Sequence, residues 1–479
     1  MTTRKNLLQW ATVGLIGSVS MVGCEGDPVP VSSGSLGSLD FSSYVAIGNS
    51  LTAGFTDGSL WERGQRYSFP NLIAQQAQKA GATTSFTQPI LKEPGILPYY
   101  RLSSFPNVSI DTSTVPSYDW RDPSVYVDPA LPIVGYRNLG IPQARVYNPV
   151  TGTSDVLDTT NSYTKSGAGG DGNGFHHVVR RNPAGAQAGN PGSVFQQAKG
   201  HLPTVITSWM GNNDVLLYAV YGGTVPLTSA STFQSQYTAL MDSLLGTGAK
   251  VVIATIPNVL SIAYTSTIKW FVPDPANPSK PLLGLYIPLL GTKANGDTVN
   301  LGPRDLVLLP ASTYLTEGYG LPGGPLFAAY PHAGEPLPGA VILDSIEVAN
   351  AAAATESYNE VIRSYGAHPR VAVVDVNAEF EKIASGGLVI AGQEFTKDFI
   401  SGGIFSLDGI HPTAQASGYI ANLFIREMNR KWGASIPYVD VLSLPGIVVP
   451  LSKRQGLLPL SEFPIGIIRN GMYAIGHEN

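Results

Sequence analysis

Cysteine is all but missing. The 479 residues contain one, Cys24, so no disulfide can form within the chain. Charge is also sparse: 13% of residues are charged, the net charge is −5, and no basic block occurs. Without such a block the chain has little with which to hold a phosphate backbone, and nucleic acid is not an expected partner. Beyond the first 23 residues no apolar run approaches the ~20 residues that cross a bilayer. Three catalytic signatures are lacking as well: a Gly-x-Ser-x-Gly elbow, a His-Glu-x-x-His pair, and a glycine loop ending in Lys-Ser/Thr. "GAGGDGNG" (167–174) therefore reads as a flexible turn, and His176 and His177 as residues of a solvated loop. What the chain has in plenty is 53 glycines, 37 prolines and 43% hydrophobic residues. That mixture suits long ordered loops on one large globular domain and argues against disorder.

The first residues form an export pattern. Arg4 and Lys5 precede an apolar run from Leu7 to Gly23, which closes on small residues at Cys24. A charged start, an apolar middle and small residues before a cut site are the parts of a signal peptide. The stretch resembles a bacterial lipoprotein signal, with Met21 where leucine is usual. That resemblance implies cleavage after residue 23, lipidation of Cys24, and an exported protein held at the cell envelope, at the outer membrane, by lipid and not by a spanning helix. Residues 24–40, rich in Pro, Ser and Gly, then read as a flexible tether.

From residue 41 strands and helices alternate. Strands are expected at "DFSSYVAIG", Leu202–Gly211, Ala249–Pro257 and Arg370–Val376. Helices are expected at Ser68–Gly81, Ser231–Gly248, Leu343–Gly366 and Thr413–Gly433. The strands are continuous apolar runs, as in a parallel sheet covered on both faces. The expected fold class is α/β, in three layers. The domain spans 41–433, with long insertions at about 57–136, 146–200 and 258–341. The third of these either walls a binding site or packs on the surface. Residues 434–479 read as an extension packed on the domain.

Ser50 stands where the first strand ends, "YVAIGNSLTAGF". Ligand sites of open α/β sheets lie at that edge, and a helix start there offers N–H groups to an oxyanion. Two readings fit this stretch: a nucleophile, or a serine capping the helix. Two further segments favour the first. "GNND" (211–214) follows another buried strand, and Asn213 would offer side-chain N–H groups to a developing negative charge. "SLDGIHPT" (406–413) puts Asp408 three residues before His411, a base with its own orienting carboxylate. "DGSL" (57–60) repeats familiar letters but follows no strand, so Ser59 reads as a loop residue.

With those segments the chain resembles the SGNH, or GDSL-type, serine hydrolases. "GNSL" (48–51), "GNND" (211–214) and "DGIHP" (408–412) match that family's first, third and fifth blocks in order. The resemblance implies a flavodoxin-like, mostly parallel sheet and an esterase or lipase. It implies Ser50 as nucleophile, His411 as base, Asp408 as orienter, and Ser50 and Asn213 as oxyanion donors. A second-block donor falls at Gln143 in "NLGIPQAR" (138–145), where the family has glycine, or at Gly140. With glutamine there, access to positive φ is expected to be lost. Asn49 replaces the family's aspartate. The implied substrate is a small or lipid ester, handled by a monomer without metal or organic cofactor. Acyl transfer with the same residues, or a non-catalytic glycan- or lipid-binding lipoprotein, are the alternatives. The reading requires three distant loops to converge, with the hydroxyl of residue 50 against the imidazole of residue 411.

Overall fold

In the computed structural model the described residues are 34–96, 99–104, 107–110, 123–127, 135–146, 175–180, 193–274 and 277–447. Cys24 with its signal, the glycine stretch 167–174 and residues 448–479 lie outside them.

Five strands build the main sheet: β1 (Tyr44–Gly48), β2 (Asn138–Gly140), β3 (Val205–Trp209), β4 (Lys250–Ala254) and β5 (Val371–Val374). All pairings are parallel, in the order β5-β4-β3-β1-β2. Why the strands lack alternation is visible in β1. Val45 and Ile47 enter one core while Tyr44 and Ala46 enter a second on the other face. Both faces are dry, so both sets must be apolar. Each fully buried side chain of this kind contributes roughly 1.5–3 kcal/mol.

Helices cover both faces. On one lie α2 (Phe69–Lys79), through Leu72, Ile73 and Ala77, and α7 (Ala414–Trp432), through Ala421, Phe424 and Met428. On the other lie α3 (Asn212–Val220), α4 (Ala230–Gly246) and α5 (Ser345–Ser364), which contribute Val215, Phe233, Leu240, Tyr358 and Ile362. Local signals set their ends. Asp344 and Glu347 form a reciprocal capping box at the start of α5, and Thr413 caps α7, which stops at Gly433 with φ +64°. The α/β three-layer expectation holds.

Three details differ from the expectations. Strand β2 is too short, and too close to Pro142, to be visible as a periodic run. Residues 34–40 are not a loose tether: Ser38 N–H donates to the Trp432 carbonyl at 3.0 Å, and Leu39 is buried. The third insertion is a satellite with its own core, built around Leu289, Leu301, Val307, Leu337 and Ile342. Downstream of the domain, residues 434–447 lie along α7, where Asn422 and Asn429 each pair with a backbone N–H and C=O, at Val439 and Ile436. Among the described residues no helix is long and apolar enough to cross a membrane.

Candidate active site

Strand register brings the loops to one edge. Gly48 pairs with Gly140 on one side and Trp209 on the other, so three strands end level and release 49–50, 141–143 and 211–213 side by side. The chain order reverses between β1 and β3, which is where an open α/β sheet forms its crevice.

Ser50 begins a one-turn helix, α1 (Ser50–Ala53), but it is not the cap. Asn49 is: its Oδ1 accepts the Leu51 N–H at 3.1 Å. Its amide donates to Asn212 Oδ1 at 3.0 Å. Asparagine in place of aspartate thus has a physical use, since a carboxylate has no hydrogen to give to that oxygen. Among the described residues no hydrogen bond holds the Ser50 hydroxyl, and the residue is 6% exposed. Gly54 ends the turn at φ +83°.

The loop before α7 carries Asp408 and His411. His411 Nδ1 lies 2.8 Å from Asp408 Oδ2, and both residues are buried. Asp408 also accepts the N–H groups of Ile410 and His411 at 2.9 and 2.8 Å, the Ser406 hydroxyl at 3.0 Å and the Gly58 N–H at 2.9 Å. Burial by itself would raise this carboxyl. The opposing charge and hydrogen bonds of His411, with the Ile410 N–H, outweigh it and hold Asp408 below the usual range. The Phe55 ring packs 4.7 Å from the imidazole, centre to centre.

Asn213 leaves β3 at the start of α3. Its Nδ2 donates to the Ala144 carbonyl at 2.9 Å, and neighbouring Asp214 accepts the Val146 N–H at 2.9 Å and the Thr228 hydroxyl at 2.8 Å. The two residues together pin segment 141–146. Within it Gln143 adopts φ +66°. The expected loss of positive φ is therefore overturned: Ala144 and Val146 are held just after Gln143, and before it the Ile141 N–H donates to the Gly48 carbonyl at 2.9 Å, which keeps a glycine-like backbone at a non-glycine residue, at a cost of roughly 1–3 kcal/mol. Gln143→Gly should hold or raise stability, and Gln143→Val should lower it by about 1–2 kcal/mol; urea unfolding of both variants checks this. Gly140 has other duties. Its N–H donates to Asn138 Oδ1 at 3.1 Å, and a Cβ there would meet the Ala53 nitrogen at 2.3 Å.

Ser50, Asn213 and His411 line one cleft of about 100 Å³, whose remaining walls are mostly apolar, among them Trp209, Leu216, Ile262, Phe380 and Phe405, with Asn212, Glu379 and Tyr419 the polar exceptions. The three loops converge, but no hydrogen bond joins Ser50 to His411. Such bonds commonly tighten only with substrate in place.

Residues 44–424 match the family model described as GDSL-like Lipase/Acylhydrolase. The chain belongs to that family. No curated protein matches it. The match runs from the first residue of β1 into α7 and takes in all three motif loops, so this GDSL-like acylhydrolase is an ester hydrolase built on the parallel sheet described above.

Some expectations for this hydrolase need amending, and some residues escaped sequence reasoning. Ser59 is buried, with its hydroxyl on the Ile96 carbonyl, a structural loop serine as expected. The backbone of His176 and His177 is helical, within Phe175–Arg180, and not a loop. Among the described residues no group of three or more His, Cys, Asp or Glu could hold a metal ion. Ile262 and Val259, at the root of the third insertion, wall the cleft, whereas no described residue of its proline-rich stretch lines it. The main omission is the pair Asp57–Gly58, which touches Asp408 and its neighbours. Asp-Gly is the strongest dipeptide signal for a two-residue hairpin turn, but nothing in the sequence says which loop that turn faces.

Proposed function

We propose that this GDSL-like hydrolase is a serine esterase working through an acyl-enzyme on Ser50, with His411 as general base and Asp408 as its orienter. The observation that carries this reading is the position of Ser50. Its capping role is taken by Asn49, its hydroxyl has no structural partner among the described residues, and it shares an apolar cleft with His411. With Nδ1 bonded to Asp408, the imidazole has Nε2 with which to take the Ser50 proton. Attack on an ester carbonyl gives a tetrahedral oxyanion, held by the Ser50 and Gln143 N–H groups and the second amide hydrogen of Asn213. The alcohol leaves with the proton from His411. Water, deprotonated by the same imidazole, then releases the acid. Gln143 is taken as the backbone donor because it holds the glycine-like φ of +66° at the position where the family has glycine.

A fluorophosphonate probe tests the assignment. It should label the wild-type chain at Ser50, found by peptide mass spectrometry, and leave Ser50→Ala unmodified. Labelling at another serine would refute it. The apolar walls further suit an acyl chain. Burial of each methylene contributes about 0.8 kcal/mol, so kcat/KM should rise about fourfold per carbon from acetate towards butyrate p-nitrophenyl esters. A flat series would remove the cleft as the acyl site.

The anchor belongs to the same proposal. Lipidation of Cys24 would hold the enzyme at the cell envelope, its ester substrate being small or lipid. Cys24→Ala should release the protein from the membrane fraction; retention there would count against the lipid.

A further inference from the structure

The geometry points to the Asp57–Gly58 turn as the positioning element for Asp408, with the Asp57 carboxylate as a second negative group acting on the His411 imidazole. This inference rests on the reading of Ser50, His411 and Asp408 given above.

The turn has the geometry for that task. Thr56 and Ser59 exchange two backbone hydrogen bonds of 3.0 Å, and both central residues have positive φ, +53° at Asp57 and +79° at Gly58. That is the pattern of a type I′ hairpin turn, and asparagine and aspartate are among the few residues that accept the first position. Its two N–H groups face the loop before α7. Gly58 N–H donates to Asp408 Oδ2 at 2.9 Å. Asp57 N–H donates to the Ser406 hydroxyl at 3.0 Å, which in turn donates to Asp408 Oδ1 at 3.0 Å. Both carboxylate oxygens of Asp408 are therefore fixed by this one turn, directly or through Ser406. The Asp57 side chain closes the clamp: its Oδ1 accepts the Leu407 N–H at 3.0 Å. Tyr100 N–H holds the Asp57 carbonyl from behind at 2.7 Å.

The charged surroundings of Asp57 are few. Burial pushes its carboxyl up to about 6; the Leu407 N–H opposes this, the Asp408 charge adds to it, and Arg63 and His411 pull it back. Arg63 comes from the short helix Glu62–Arg66 and is exposed. From the other side comes Tyr100, whose hydroxyl burial, Asp408 and Tyr264 push well above its ordinary value. That hydroxyl stays neutral, while with its carboxyl at about 6 Asp57 is mostly ionised at pH 7–8, a second negative charge beside Asp408 that attracts a positive imidazole. An ionised Asp57 favours the imidazolium that forms as Ser50 attacks.

Asp57→Asn isolates the charge. The amide oxygen can still accept the Leu407 N–H, and asparagine tolerates positive φ. The expected result, for a folded variant, is a kcat about tenfold lower and an acid limb of kcat/KM moved to lower pH. A merely structural role would leave the acid limb where it is. Gly58→Ala is not the variant to use, because its Cβ would meet the Tyr100 ring at 2.5 Å. Ser406→Ala tests the hydrogen-bond path with the charge left in place, and should lower kcat about tenfold while KM holds. A folded Asp57→Asn with wild-type kcat and wild-type acid limb overturns the proposal. If Asp57→Asn does not fold, an unchanged kcat in Ser406→Ala overturns it. Ser50→Ala, assayed in parallel, separates the two levels. Full turnover in that variant sinks the catalytic reading and this inference with it. An inactive Ser50→Ala beside an unchanged Asp57→Asn removes only the role of Asp57.

Discussion

Ser50→Ala is expected to lower kcat on p-nitrophenyl butyrate by about 10⁴-fold or more, with the fold intact. The fold should survive because α1 is capped by Asn49 and no hydrogen bond depends on the serine hydroxyl among the described residues. Alanine also suits the first position of a helix. A change in thermal stability beyond ~0.5 kcal/mol would be out of line for so small a truncation. His411→Ala should lose as much activity, and the double variant little more than either single one, because the two groups act as one unit. The histidine variant should differ in stability. It removes the Nδ1 partner of a buried, ionised Asp408, and a buried charge that loses its partner is costly. A wild-type rate in either single variant, measured on purified folded protein, ends the assignment.

How much of this could be read from the amino acids depends on where the information sits. The sheet could be read because β1, β3, β4 and β5 are apolar on both faces, and the helices because α2, α4, α5 and α7 carry amphipathic spacing between caps and glycines. Ser50, Asp408 and His411 could be singled out because each lies on a short segment next to a strongly patterned element. Strand β2 could not. Three residues, Asn138 to Gly140, give no period, and their place in the sheet is set by pairing with β1 and by Asn138, whose amide reaches the Thr52 carbonyl at 2.8 Å. Gln143 misled for a related reason. Propensity says a glutamine avoids positive φ, while the hold of Asn213 on Ala144 and of Asp214 on Val146 imposes it. The Asp57–Gly58 turn was legible as a turn, but its partner lies about 350 residues away, and no local pattern encodes that distance. What escaped was in each case a tertiary contact acting on a short segment.

Asn213→Ala is the second large expectation: kcat lower by about 10²–10³-fold, or 2.7–4 kcal/mol of transition-state stabilisation, with KM little changed. The side chain has two amide hydrogens. One is committed to the Ala144 carbonyl at 2.9 Å, which fixes the plane of the carboxamide. The other is then the donor that would meet an oxyanion forming beside Ser50. Truncation removes that donor and also one anchor of segment 141–146, so activity alone does not separate the two losses. A tetrahedral mimic does. If the amide acts on the oxyanion, the loss in affinity for a boronic acid should match the loss in kcat/KM across Asn213→Ala and Asn213→Gln, because both quantities report binding of the same geometry. If the amide only anchors the segment, Asp214 still holds Val146, stability should fall, and affinity for the mimic should follow the KM for substrate. A loss confined to KM would remove Asn213 from the oxyanion site and leave Ser50 and Gln143 as the remaining donors.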